Sequence, residues 1–127
     1  MAGGKFKKLE VWKDAVNMGA EIYPLISALR ERREFVLSDQ MWRSCLSISS
    51  NIAEGSESGT DGNFIRYLNI AIGSLAEFRS QLYLTQSLKF IPEDEYKMLD
   101  RKADQLAFRV YKLRKYLSQE NVPTASG

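Results

Sequence analysis

At 127 residues and a formal net charge of +2, the chain has the length of one domain and can bury a core without disulfide or metal staples. Its single cysteine, Cys45, excludes an intramolecular disulfide, and the absence of histidine removes the Ser-His and Cys-His dyads and the commonest metal ligand. No stretch approaches the ~18 uninterrupted apolar residues of a membrane span, and MAGGKFKK lacks the apolar region of a signal peptide, so a cytoplasmic protein of bacterial style is expected.

A single domain over residues 1–127 is expected, with an ordered core at about 6–119 and flexible ends at 1–5 and 121–127. Helical periodicity begins near Lys8 or Leu9. Trp12, Ala15, Gly19, Ile22, Ile26 and Leu29 recur at 3-4-3-4-3 spacing and so share one helix face. Pro24 removes the bond to the Ala20 carbonyl and crowds that turn, which predicts a kink or local break at 20–24 before the helix resumes through Arg30. The run Arg30–Glu34 reads as a solvated helix end, and Phe35–Leu37 as an apolar connection.

Ser38 is then the expected N-cap of a second helix from Asp39 to about Glu54. Met41, Cys45, Ile48 and Ile52 form one seam, and Trp42, Leu46, Ser49 and Ala53 a second, so this helix is expected to be covered on more than one side. Ser44, Ser47 and Ser50 permit close backbone approach. Cys45 reads as a small buried hydrophobe rather than a nucleophile. Gly55–Gly62 is glycine-rich but lacks a Lys-Ser/Thr pair and carries Glu57 and Asp61, so turn and cap chemistry explains it better than phosphate binding.

The third helix, about Gly62 to Leu88, carries the seam Phe64, Leu68, Ala71, Leu75, Phe78 and Leu82. Gly73 in its middle costs on the order of 1 kcal/mol against alanine, a cost that a tightly crossing helix explains. Pro92 opens the fourth helix, with Glu93, Asp94 and Glu95 at the positive end of its dipole. Its seam runs Tyr96, Leu99, Ala103, Leu106, Val110, Leu113 and Leu117. Nothing reads as a strand. Four amphipathic helices with short connections predict an all-α, antiparallel up-down-up-down four-helix bundle.

Opposite the seam of the fourth helix lie Lys97, Arg101, Lys102, Arg109, Lys112 and Lys115, with Phe108 and Tyr116 among them. The span Gln105–Gln119 holds four cations and no carboxylate. Cations for phosphates and ring faces for bases are the composition of a nucleic-acid surface, and a merely solvated helix face is the alternative. Asn51 and Glu54 share a face near the start of the third helix. Glu54 is expected to pair with Arg66 or with backbone N–H groups of that helix, and Arg43 to lie near Glu77, as structural rather than catalytic contacts. A di-metal bundle needs Glu-x-x-His pairs, of which there are none. No catalytic residue, metal or cofactor is expected.

The motifs Leu9-x-Val11-Trp12, Gln40-x-x-Arg43, Ser47-Ile48-x-Ser50-Asn51-Ile52-Ala53-Glu54-Gly55, Phe64-Ile65-Arg66-Tyr67-Leu68 and Ile70-Ala71-x-Gly73-Ser74-Leu75-x-Glu77 span nearly the whole chain. In these the sequence resembles the 23S rRNA intervening-sequence proteins. The resemblance implies a small four-helix bundle that forms a ring-like homo-oligomer, a pentamer, and carries no known catalytic residue. It is similar in architecture to the accessory protein of diversity-generating retroelements, a basic pentameric barrel associated with nucleic acid. Pro24 and Trp42 depart from the pattern, Trp42 by standing where a basic residue is expected. The expected function is a non-enzymatic homo-oligomer that binds RNA, DNA or ribonucleoprotein. The alternative is a protein-interaction scaffold using Trp42, Phe108 and Tyr116 as contacts.

Overall fold

The computed structural model describes residues 4–120, the side chain of Glu120 excepted. The expected flexible tail at 121–127 and residues 1–3 lie outside the described residues. A short 3₁₀ turn at Lys5–Lys8 leads into α1 (Glu10–Glu31), α2 (Phe35–Ser56), α3 (Asp61–Ser87) and α4 (Glu93–Glu120). Gly4 and Phe6 at this entry donate backbone N–H bonds to Glu57 Oε1.

The four helices form an all-α bundle whose neighbours run antiparallel. Gly19 meets Cys45, Tyr23 meets Trp42 and Arg30 meets Asp39 between α1 and α2. Ser44 bonds Gln81, Ser74 bonds Ser47 and Gly55 meets Tyr67 between α2 and α3. Asn69 bonds Arg114, Arg79 bonds Asp100 and Tyr83 meets Tyr96 between α3 and α4. In each pair, rising numbers on one helix face falling numbers on the next.

The expected seams are the core. Ile22, Leu29, Met41, Ile48, Ile52, Leu68, Phe78, Leu82 and Val110 are fully buried, and each contributes ~1.5–3 kcal/mol through removal of apolar surface from water. Three local expectations need correction. First, of the kink or local break expected at 20–24, the break does not occur, because α1 is one continuous helix with Pro24 inside it. Ala20 and Pro24 both face solvent, so water can satisfy the carbonyl that the proline leaves free.

Second, α2 begins at Phe35, and Ser38 is a fully buried residue inside it, donating its hydroxyl to the Phe35 carbonyl. The reason lies in Arg33, which takes the left-handed region at φ 65. Its N–H donates to the Arg30 carbonyl and that of Glu34 to the Leu29 carbonyl, which closes α1 abruptly in a Schellman motif. Lys89, at φ 63, closes α3 in the same way through Lys89 N–H to Gln86 and Phe90 N–H to Thr85. The two turns touch: the Arg32 guanidinium lies 4.3 Å above the Phe90 ring.

Third, the tight helix crossing is at Gly55, not Gly73. A Cβ on Gly55 would stand 2.8 Å from both Phe64 Cδ1 and Tyr67 Cβ, whereas one on Gly73 meets nothing within 4 Å. Gly55 therefore lies within α2 as a packing residue, and the left-handed glycine of the following loop is Gly59 at φ +93. Thr60 caps α3, its hydroxyl accepting from Asn63 N–H at 3.1 Å.

The second seam of α2 is only partly covered by this chain. Leu46 is exposed, and Trp42 and Ser49 are half-buried beside a shallow groove of about 410 Å³. Ala15, Val16, Gly19, Ala20 and Tyr23 of α1 form its other wall, and none of its lining residues is charged.

Candidate nucleic-acid interface

The six cations expected on one face of α4 divide into three groups. Lys102 reaches Glu21 and Arg109 reaches Asp14, both across the groove to α1. Their charges are committed to holding α4 against α1. The two pairs line a small cleft of about 210 Å³ in which every charge has a partner. Lys97 lies 3.5 Å from Glu93 one turn away, a solvent-exposed pair. Arg101, Lys112 and Lys115 are exposed and form no ion pair among the described residues.

Two carboxylates in the first half of α4 are also engaged. Asp100 accepts two bonds from the Arg79 guanidinium, at 2.8 and 3.1 Å, and Asp104 accepts a third at 3.1 Å. The hydrogen bonds that Arg79 donates to Asp100, helped by both negative charges, hold its pKa above the ordinary value despite some burial.

Beyond Gln105 the environment changes. Phe108, Lys112 and Lys115 follow at 4 and 3 residues, which keeps them in one outward stripe. The Lys112 ammonium lies 5.5 Å from the Phe108 ring centre, and the Arg114 guanidinium 4.8 Å from that of Tyr111. Arg114 is fixed further by donating to Asn69 Oδ1 of α3 at 2.7 Å. With Ile65 of α3, and Tyr116, these side chains line an open cleft of about 990 Å³. The rings are unspent: Phe108 is 64%, Tyr111 46% and Tyr116 57% exposed.

Arg114, Tyr111, Asn69 and Ile65 are additions that the helical face alone did not single out. Arg114 lies toward α3 rather than on the outward stripe, so only the neighbouring helix brings it into the cleft. Lys5 belongs to the same end of the bundle, since it lines a cleft with Leu117. The 3₁₀ turn that carries it contributes Lys7 and Lys8 as well.

The polar residues expected at the α2/α3 hairpin behave otherwise. Arg43, Glu54, Arg66 and Glu77 are all exposed, and among the described residues neither Glu54–Arg66 nor Arg43–Glu77 forms an ion pair or hydrogen bond. Arg66 instead lies 5.8 Å from the Tyr67 ring. Asn51 donates to the carbonyl and the hydroxyl of Ser47, at 2.8 and 2.9 Å, and Ser47 Oγ also accepts from Ser74 Oγ at 2.8 Å. These short side chains, with Ser44 on Gln81, join the two helices where longer charged ones project past each other. Cys45 is buried, and burial pushes its thiol up to about 12, which makes it a poor nucleophile near neutral pH.

Among the described residues no cluster of His, Cys, Asp and Glu could hold a metal ion, and no helix is long and apolar enough to cross a membrane. The arrangement offers phosphate and ring contacts in one place.

The crystal structure of a protein of unknown function from the S23 ribosomal protein family, from Bacteroides thetaiotaomicron VPI-5482, superposes with a TM-score of 0.79. It shares 27% identity over 83% of this chain and 95% of its own. No curated protein matches the chain significantly. The family model described as 23S rRNA-intervening sequence protein matches residues 7–112, nearly the whole described bundle, and the chain belongs to that family.

Proposed function

We propose that the chain is a non-enzymatic, cytoplasmic, homo-oligomeric bundle that binds nucleic acid or ribonucleoprotein through the C-terminal half of α4. The observation that carries this reading is the cleft in which Lys112, Arg114 and Lys115 stand among three exposed rings, with no carboxylate between Gln105 and Gln119. Cations without local counter-charge attract phosphates and release condensed counterions, so binding weakens with salt. Three phosphate contacts per protomer give a slope of log affinity against log salt of about −2 for a single strand. Anisotropy titration of labelled RNA and DNA across salt concentrations tests this, and no binding at low salt would sink it.

The reading as a protein-interaction surface has its own support in the uncharged groove between α1 and α2. Depletion of charge around exposed aromatic and aliphatic side chains is the composition of an interface core. In this proposal the groove serves self-association into a ring, with five copies as the expected number. Light scattering at several concentrations measures it, and a monomer throughout overturns the oligomer.

A further inference from the structure

We infer that the nucleic acid held by this cleft is single-stranded, with bases stacked on Phe108, Tyr111 and Tyr116 and phosphates on Lys112, Arg114 and Lys115. The inference rests on the nucleic-acid reading above and narrows its ligand.

The first ground is the shape around α4. A DNA major groove, ~12 Å wide and ~8.5 Å deep, admits one protruding helix. Here α4 is flanked on both sides. Asp14 and Glu21 of α1 are tied to Arg109 and Lys102, and Asn69 and Arg79 of α3 are tied to Arg114, Asp100 and Asp104. Neighbouring helices lie ~8–10 Å away, so the surface is broad rather than ridged. A duplex could touch it only through phosphates, and the rings would gain nothing.

The second ground is the rings themselves. Phe108 is the most exposed aromatic of the chain at 64%, on a helix face it shares with Lys112 and Lys115. The Lys112 ammonium lies against its ring. A side chain of this kind gains little in water and much when a flat base covers it. Stacking contributes ~1–3 kcal/mol per base and tolerates any base, because each has a π-face.

The third ground is spacing. From Phe108 to Tyr116 the helix rises ~12 Å, and that length holds the three rings together with Lys112, Arg114 and Lys115. Arg114 already lies over the Tyr111 ring and donates to Asn69, so one guanidinium is oriented before a ligand arrives. An unpaired strand of a few nucleotides uses rings and cations together. A base-paired one uses the cations alone.

The test is anisotropy titration of the full chain with labelled uridine and thymidine 20-mers, and with RNA and DNA duplexes of equal length. The single strands are expected to bind at least ~10-fold more tightly than the duplexes at the same salt. Phe108→Ala and Tyr116→Ala each lower single-strand affinity by about 5- to 100-fold and leave the salt slope unchanged. Lys112→Gln instead reduces the slope by about 0.7. Phe108→Trp retains binding and shows quenching of its added fluorescence on titration. Thermal melts of all four variants are expected to match the parent, because these side chains are exposed. Duplex binding equal to or tighter than single-strand binding, or full affinity in Phe108→Ala and Tyr116→Ala, overturns this inference and leaves the nucleic-acid reading standing. Absence of binding to every probe overturns both.

Discussion

Residues 93–104 and 105–119 are consecutive halves of one helix. In the first half Lys97 stands beside Glu93 and Lys102 beside Glu21, Asp100 and Asp104 hold Arg79, and Arg101 alone of the three cations forms no ion pair among the described residues. In the second half Arg109 is committed to Asp14, but Lys112 and Arg114 lean on aromatic rings and Lys115 is free of ion pairs among the described residues. Expected cations of the outward face stand in both halves, but the first half also carries five carboxylates and the second none. The difference teaches that a cation's nearest partner, rather than its place on a face, decides whether it is available to a ligand.

The largest expected effect comes from breaking the second half alone. Lys112→Glu with Lys115→Glu lowers nucleic-acid affinity by about 10- to 100-fold at moderate salt, through lost phosphate contacts and new repulsion. Lys97→Glu in the first half changes it little. Equal losses from the two sites, measured by anisotropy, would erase the contrast.

The ion pairs that engage the first half differ in depth. Arg79→Ala leaves two carboxylates without their guanidinium and costs about 1–3 kcal/mol in urea unfolding. Lys102→Ala removes a more exposed pair and costs at most about 1 kcal/mol.

The same distinction between engaged and free positions applies to two glycines. Gly55→Ala is expected to cost about 1–3 kcal/mol, because its Cβ meets Phe64 and Tyr67 with α3 already in contact. Gly73→Ala should stabilise by about 0.5–1 kcal/mol, because the new Cβ enters open space on a helix. A loss at Gly73 instead marks a partner seated on that face of α3.

The smallest effect concerns Cys45. Its thiol titrates at about 12 in the fold against an ordinary 9.0, so the unfolded chain loses its proton first as pH rises. That contribution to stability is complete below pH 9.0 and declines above it. Thiol labelling at pH 8 should be slow in the native chain and fast in denaturant. Rapid native labelling would mean that the α1/α2 groove opens.

The seams were legible because periodicity depends on neighbours three and four residues apart. Leu68, Leu75 and Leu82 on α3, and Leu99, Leu106 and Val110 on α4, are buried as that spacing requires. The start of α2 was not legible. Glycine is the usual signal for a left-handed helix end, and Arg33 and Lys89 take that conformation without it. The Ser38 cap signal therefore pointed four residues too late. The second seam of α2 was visible as a pattern, but whether this chain covers it depends on how far α1 reaches. α1 leaves Leu46 exposed.

The candidate site divides along the same line. Sequence alone determined that Gln105–Gln119 carries cations, rings and no carboxylate, since composition and helical phase are local properties. Tertiary structure decided which of those cations are free. Asp14 and Glu21 arrive from 95 and 81 residues away to occupy Arg109 and Lys102, and Asn69 arrives from 45 residues away to orient Arg114. Electrostatic pairing acts over a few ångströms of space whatever the separation along the chain, and only the packed bundle sets those distances.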